Sequence, residues 1–428
     1  MSTESEDVFD FAIIGGGILG VSTAWQFKKR YPKSRITLIE KEPSLACHQT
    51  GHNSGVIHAG VYYQPGSFKS RFCLEGNRAT RNFCQTQHLP FRVPGKLVVA
   101  TDDAEVLRLN HLFQNCQRNG LEVERLGARE LSALEPNIQG VGAIRVFDSG
   151  IADFVAITGR LAELLQAMGG QIRLGQRVVE VSDCLFGEHW VGKHLVLCDG
   201  KKRFSRIQAK FVVVCGGLAA DRLVKMDGAK LDNLNDGVGV TSFRVVPFRG
   251  EYFILSDRCC ELVNHLIYPV PNPKLPFLGV HITPHVDGSV SIGPNAVVGW
   301  KREGYGRFNV SLRDAWSLLS FPGAWRLLSA YPRPALDEWM SSWFKDVFLR
   351  RVRRYCPSLT LSDLARPHVG VRAQAVFSNG RIVNDFLFAR TASSLHVCNA
   401  PSPAATAAIP IGQYLVEEAE KMLRGVIV

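Results

Sequence analysis

Apolar positions change their period several times along the chain, and each change marks an element. Residues 8–14 (VFDFAII) form a near-continuous run of β-branched and aromatic side chains, the pattern of a buried strand. After the glycine-rich GGGILG, Ile18, Val21, Ala24 and Trp25 recur at helical spacing. The segment ends in basic residues ahead of Pro32, as a helix C-terminus prefers. RITLIE then returns to strand, completing a compact βαβ unit. KFVVVCGGLAADRL (210–223) repeats the order strand, Gly-Gly turn, helix. Before it, QIRLGQRVVEV alternates apolar and polar positions, and HLVLCDG can pair with it as a hairpin. Residues 248–296 are strand-rich with Pro/Gly turns and read as an antiparallel sheet of a separate domain. Residues 311–364 carry helical spacing with four tryptophans and many arginines, and the C-terminal segment reads as strand, loop and helix. No internal repeat or low-complexity tract interrupts this order.

Composition narrows the picture. With 46% hydrophobic and 21% charged residues over 428 positions, the chain reads as a folded globular protein of two to three domains' length. The formal net charge of +11 suits an anionic substrate, an anionic cofactor or an acidic membrane surface. Nucleic acid is not expected: there is no C2H2 spacing, RNP-like aromatic motif or long basic arm. The eleven cysteines include no CxxC pair, and several, such as Cys198 and Cys215, lie in apolar runs, so they read as buried free thiols of a reducing compartment. No apolar run reaches membrane-spanning length, and the acidic start resembles neither a signal peptide nor an Arg-rich transit peptide.

Gly15, Gly17 and Gly20 form G-x-G-x-x-G between the first strand and its helix. The first glycine allows a tight turn, the second lets backbone approach a pyrophosphate, and the third lets helix pack on strand. The helix N-terminus presents unpaired N–H groups to the phosphates. Glu40, twenty residues after Gly20 at the end of the next strand, can accept a ribose hydroxyl. This context points to a dinucleotide site. FAD and NAD both use such a turn. The absence of a second complete motif, and the return to a Gly/Ala-rich C-terminal element, fit a flavin that spans several distant segments.

The segments FDFAIIGGGILGVSTAWQF, LIEKE, TGHNSGVIHAGVYY, GVRAQAV and NAPSPAATAAIPIG together resemble the L-2-hydroxyglutarate dehydrogenase/oxidase family, within the D-amino-acid-oxidase-like group of FAD enzymes. The likeness runs from about Phe9 to the final helix. It implies an α/β fold: a Rossmann-like FAD-binding domain (7–90, 150–222, 366–428) interleaved with an α+β substrate domain on an antiparallel sheet (91–149, 223–365). It also implies FAD, oxidation of (S)-2-hydroxyglutarate to 2-oxoglutarate, electron delivery to a quinone or other acceptor, and, as for eukaryotic members, a mitochondrial, membrane-associated setting. The resemblance lays the cofactor along Gly15, Gly17, Ile18, Leu19, Gly20, Glu40, Lys41, Thr50, Asn53, Ser54, Gly55, Val56, His58, Val179, Cys215, Gly216, Ser402, Ala404, Ala405 and Thr406. No metal is expected.

The reaction removes a hydride and a proton from a carbinol carbon, so a base must sit near the flavin and cations must hold two carboxylates. His58 is the first candidate base: imidazole titrates near neutrality, and its glycine-flanked stretch can approach a flat ligand. A role limited to hydrogen-bonding the flavin or backbone stays open. His48 and His52 have less specific context, and His48 reads as an exposed or cofactor-edge residue. Arg372 occupies the position where the wider family has a carboxylate-binding arginine; the plainer reading is a surface arginine after a strand. For the second carboxylate, Arg249, Tyr252, Tyr62, Lys69 and His281 remain unranked, and His281 also reads as an ordinary strand residue. Ser402 is expected as a helix N-cap with Pro403 at the first helical position, and Pro410 should kink or restart that helix. The Trp/Arg segment 311–360 fits either a membrane-facing surface or a helical subdomain with solvated charges. An amino-acid or amine oxidase on the same fold, and a flavin-binding protein without turnover, are the alternative functions.

Overall fold

The structure is a computed structural model and describes residues 7–186, 190–231, 242–272, 279–306 and 309–424. The chain divides into two compact units. The first comprises Met1–Gly51, Phe154–Val245 and Ala373–Val428; the second comprises His52–Asp153 and Val246–Arg372. Residues 52–90, expected with the nucleotide-binding segments, lie in the second unit. Their side chains explain this. Ala59 and Val61 join Val98, Ile144 and Val146 in one apolar cluster, and Val56 joins Leu266 and Tyr268 in another.

The first unit is built on a parallel sheet. The strands Gln171–Arg173, Ile36–Ile39, Asp7–Ile14, Phe204–Val214 and Ser394–Asn399 lie side by side in that order, all parallel. Leu387–Arg390 and Lys230–Leu231 extend one edge antiparallel. The expected hairpin forms: Gln176–Phe186 pairs antiparallel with Trp190–Asp199, which pairs with Phe204–Val214. A strand buried on both faces cannot alternate, and Phe11–Ile14 and Phe211–Val214 are accordingly continuous buried runs. The helix Ile18–Arg30 packs against Ala408–Arg424, where Gly412 lies over Ser22 and Ser22 Oγ donates to Ala408 O at 2.8 Å.

The second unit holds the larger mixed sheet. From one edge it runs Val297–Val298, Phe243–Leu255, Val290–Gly293, His281–Pro284, Leu266–Pro269, Lys96–Ala100, Gly142–Val146 and Val123–Gly127, with Leu364–Phe377 beside Phe243–Leu255. All neighbours in this order are antiparallel except Leu266–Pro269 and Lys96–Ala100, which are parallel. Leu97, Val99, Phe253, Ile267, Ile282 and Ile292 share one apolar cluster with Phe348, Leu349 and Val352 of the helix Lys345–Arg353. The period of two then sends the intervening residues to the other face.

Residues 312–353 form four short helices, as their spacing predicts. Among the described residues no helix is long and apolar enough to cross a membrane. All eleven cysteines are free thiols, and Cys198 and Cys215 are half-buried rather than fully buried.

Candidate functional site

In the first unit, sheet register brings the nucleotide-binding residues together. Ile14 pairs with both Val214 and Ile39, so Gly15, Cys215 and Glu40 leave the sheet side by side at its carboxyl end. Cys215 N–H donates to Ile14 O and Gly15 N–H to Ile39 O, each at 2.8 Å. Gly15 has φ +116°, and a Cβ there would lie 2.3 Å from Cys215 O. A Cβ on Gly20 would lie 1.9 Å from Gly15 O. These two positions admit no side chain.

Gly17 caps the helix with no side-chain acceptor, and the first turn carries no acid. Ile18 N–H donates to Thr50 Oγ1 at 3.0 Å, and Leu19 O accepts from Thr23 Oγ1. A helix start so arranged has its positive end open to an anion. Buried Glu40 is not free: Oε2 accepts from Gly16 N–H at 2.5 Å and Oε1 from Glu42 N–H at 2.9 Å. Each oxygen keeps a second lone pair for a hydroxyl. Lys41 pairs with Glu42 and meets His48 Nε2 at 2.8 Å, so His48 belongs to a polar cluster at the same end of the sheet. Val179 sits at a β-bulge between Val178 and Glu180, which takes it out of the ladder and leaves it half-buried. The Cys215 thiol is pushed up to about 12 by burial and stays neutral. Gly216 follows it at the turn into Gly217–Ala219. A helix N-terminus with no acid in its first turn, a side-chain-free turn and an acid at the strand end together fit the phosphates and ribose of a dinucleotide.

The C-terminal expectation needs correction. Ser402 does not cap a helix, and Pro403 is not its first residue. Residues 402–407 form successive turns, and the helix begins at Ala408. A helix begun at Pro403 would place Pro410 in its interior, where the missing N–H and the ring clash cost about 3 kcal/mol. Starting at Ala408 puts Pro410 in the first turn, where no N–H is needed. Ala404, Ala405 and Thr406 are therefore turn residues, with Ala404 N–H donating to Pro401 O.

In the second unit, one sheet face collects the chemistry. Val98 and Ala100 alternate with the apolar-cluster residues of their strand, and Lys96 shares their parity. Tyr268 alternates likewise with Ile267, His281 with Ile282, and Tyr252 with Phe253. His368, Gly370 and Arg372 share one parity on Leu364–Phe377. The His368 ring lies 6.1 Å from that of Tyr252, which puts His368 on the same face. Tyr268 and His281 rings stack at 4.1 Å, and the Lys96 ammonium lies 4.0 Å from the Tyr268 ring centroid. Glu135, fully buried, accepts from Asn264 N–H and His265 N–H and meets His265 Nδ1 at 2.7 Å, fixing the entry to the Tyr268 strand.

His58 follows the short strand Val56–Ile57, which pairs with Gly150–Ala152. Its carbonyl accepts from Asn77 Nδ2 at 3.0 Å and from the Cys73 thiol. The residue as a whole is half-buried. Burial, then the charges of Lys96, His281 and Arg372, hold its pKa well below the ordinary imidazole value. His281 is lowered to about 3, chiefly by burial, against a hydrogen bond to Gly279 O and with Arg372 and Lys96 adding to the depression. Its Nδ1 donates to Gly279 O at 3.3 Å, leaving Nε2 as a buried acceptor with no partner among the described residues. Both imidazoles are neutral at pH 7. A neutral imidazole can take a proton, and a nearby anion would raise its basicity. Tyr268 and Tyr62 are raised above the ordinary phenol value, mainly by burial, and remain neutral donors.

Most other candidates are held by partners of their own, and His52 also lies 5.4 Å from His368, ring to ring. Arg249 is engaged by Glu251 at 3.2 Å and by Gly306 O at 2.6 Å. Lys69 sits on the helix Phe68–Thr86 against Tyr63. His52 stacks on Tyr305 at 3.8 Å and meets Val369 O through Nδ1. Asn53 Oδ1 accepts from Gly55 N–H at 2.7 Å, stabilising a turn in which Gly55 has φ +68°; Ser54 lies within this turn. Arg372 is exposed, yet its charge reaches His58, His281 and Tyr268. Sequence reasoning missed Lys96 and Tyr268. A lysine leading GKLVVA reads as a solvated strand end. The one signal was its parity with Val98 and Ala100.

The profile of the family described as "FAD dependent oxidoreductase" matches residues 10–418. The chain is 47% identical to L-2-hydroxyglutarate dehydrogenase of Escherichia coli (strain K12), covering 97% of this chain and 94% of the relative. It is 38% identical to the mitochondrial L-2-hydroxyglutarate dehydrogenase of Caenorhabditis elegans, covering 96% and 93%. Among solved structures, dithionite-reduced L-alpha-glycerophosphate oxidase from Mycoplasma pneumoniae with FAD bound matches with a TM-score of 0.75 at 22% identity, over 98% of this chain and 95% of that one. That likeness carries the fold, while the sequence identities, which run over nearly the whole of each chain, carry the family: this chain belongs to the L-2-hydroxyglutarate dehydrogenases, within the FAD dependent oxidoreductases.

Proposed function

We propose that the protein oxidises (S)-2-hydroxyglutarate to 2-oxoglutarate with FAD as cofactor. The family membership supports the substrate. The observation that carries the chemistry is a half-buried, neutral His58 that feels the charges of Lys96, His281 and Arg372. When bound, FAD supplies the two-electron acceptor for the hydride of the carbinol carbon. The chain's own residues supply the rest. The first unit holds the phosphates at the Gly15–Gly20 turn and the ribose at Glu40. His58 takes the hydroxyl proton on a ring nitrogen. Arg372 holds the carboxylate beside the reacting carbon as a forked donor. Tyr252 and His281 line the substrate, with His281 Nε2 as an acceptor. The dianion offsets the positive surroundings of His58 and so raises its affinity for the proton as the substrate arrives.

We further propose that the electrons pass to a quinone at a membrane surface that the protein touches peripherally. What supports this is the helical segment 312–353, where Trp316, Trp325, Trp339, Trp343 and Phe344 are exposed. The arginines of that segment support it less. Arg351 pairs with Glu338, and Arg354 with Asp102 and Glu105. Flotation with anionic liposomes tests the contact: protein remaining in the soluble fraction removes it. A mitochondrial location rests on the names of the animal relatives alone, and the more similar bacterial relatives weaken it.

Anaerobic mixing with each 2-hydroxyglutarate enantiomer tests the reaction. The (S) enantiomer should bleach the flavin, and the (R) enantiomer and amino acids should not. Bleaching by amino acids instead would favour an oxidase of amines on this fold; no bleaching by any of them would favour a non-catalytic flavoprotein.

A further inference from the structure

Lys96 is 1% exposed, among the most buried large side chains of the protein. Among the described residues no carboxylate or hydrogen-bond acceptor engages its ammonium, which instead lies 4.0 Å from the Tyr268 ring centroid and 5.4 Å from that of Tyr62. The charged and titratable groups around it are Cys73 and Cys116, whose thiols burial raises to about 12 and about 11, and the neutral His58 and His281. None supplies a negative charge at pH 7. A buried ammonium without a counter-ion costs stability, and an apolar residue would fill the slot between the two rings at less cost. The slot also immobilises the four-carbon stem, so the ammonium is fixed before any ligand arrives. Tyr62, whose ring centroid lies 5.4 Å from the ammonium, carries a second buried polar group, its Oη, with no partner among the described residues. Two donors without acceptors among the described residues, packed at the sheet face that carries His281, suit an anion.

Resting on the reaction proposed above, we propose that Lys96, assisted by Tyr62, binds the distal carboxylate of the substrate and makes the site selective for dicarboxylic over monocarboxylic 2-hydroxyacids. Arg372 and Lys96 thereby divide the two carboxylates between an exposed forked cation and a buried point charge. Lys96 acts on binding rather than on the hydride or proton transfer.

The test uses FAD-loaded protein and two substrates that differ only at the distal group, (S)-2-hydroxyglutarate and (S)-2-hydroxypentanoate. Stopped-flow flavin reduction gives the limiting rate and half-saturating concentration for each. For Lys96→Met, the half-saturating concentration of the diacid should rise at least about 10-fold, as loss of a charge-assisted contact predicts. Its limiting rate should stay within a few-fold, and the monoacid should be unaffected or improved. Lys96→Arg should recover part of the diacid affinity. Wild-type efficiency on the diacid should fall above about pH 8, and Lys96→Met should lack that alkaline fall. Equal losses on both substrates, or a collapse of the limiting rate alone, would overturn the assignment and make Lys96 structural or catalytic. Should Lys96→Met fail to retain FAD, the diacid-to-monoacid preference of Lys96→Arg and Tyr62→Phe decides, and an unchanged preference in both overturns it. A wild type that bleaches with the diacid while the variants keep its preference sinks this assignment alone. A wild type that the diacid does not bleach sinks the reaction and this assignment with it.

Discussion

Replacing Lys96 with methionine should make the protein more stable at neutral pH. Burial lowers the Lys96 pKa from 10.5 to about 8. At about 1.4 kcal/mol per decade, the folded state disfavours the ammonium by about 3 kcal/mol. Below pH 8 the ammonium is charged in both folded and unfolded chains, so the whole cost is present. Between about pH 8 and 10.5 the folded protein sheds the proton first, and the cost disappears as pH rises through that window. Methionine has no charge to bury and keeps contact with the rings of Tyr62 and Tyr268, where sulfur–aromatic contacts offset much of the lost cation–π attraction. Allowing about 1 kcal/mol for that loss, the net gain is about 2 kcal/mol. At about 2–4 °C per kcal/mol for a unit of this size, the melting temperature rises by about 4–8 °C at pH 7. Thermal unfolding with saturating FAD and no substrate measures it at pH 7 and at pH 9.5, where the gain should shrink by half or more. Adding 2-oxoglutarate should narrow the gap at pH 7, because the dianion stabilises only the wild type through this contact. A methionine variant that melts at or below the wild-type temperature at pH 7 would refute the reasoning, since the charge would then be stabilising where it lies.

His58→Ala should retain FAD and slow flavin reduction by about 100-fold or more; an unchanged limiting rate removes it as base. Arg372→Ala should chiefly raise the half-saturating concentration for both the diacid and the monoacid, because both share the carboxylate it holds, which steady-state kinetics will separate from the diacid-only effect at Lys96. Gly20→Ala drives a Cβ to within 1.9 Å of Gly15 O, so the purified variant should lack the yellow cofactor, as its absorbance will report. Glu40→Ala strips the acceptor from Gly16 N–H and Glu42 N–H. It should cost about 1–3 kcal/mol of folding free energy by denaturant titration and weaken FAD retention.

Sequence alone determined the parts of this protein whose constraints are local. A turn that must be tight and approachable needs glycine, so Gly15 and Gly20 announce themselves, and the buried runs around them read directly as parallel strands. The stretch GHNSGVIHAG marked His58 for the same reason. The tertiary structure decided what depends on partners distant in sequence. It moved residues 52–90 to the second unit, because Ala59 and Val61 bury against Val98 and Ile144. It began the last helix at Ala408 rather than Pro403, because Pro410 is tolerated only in a first turn. It gave Arg249 an ion-pair partner in Glu251. It brought in Lys96, whose neighbours Tyr268 and His281 come from strands more than 170 positions away. A lysine's own sequence context states its charge; only the folded sheet, by placing rings around that charge and withholding a counter-ion, determines that it waits for an anion.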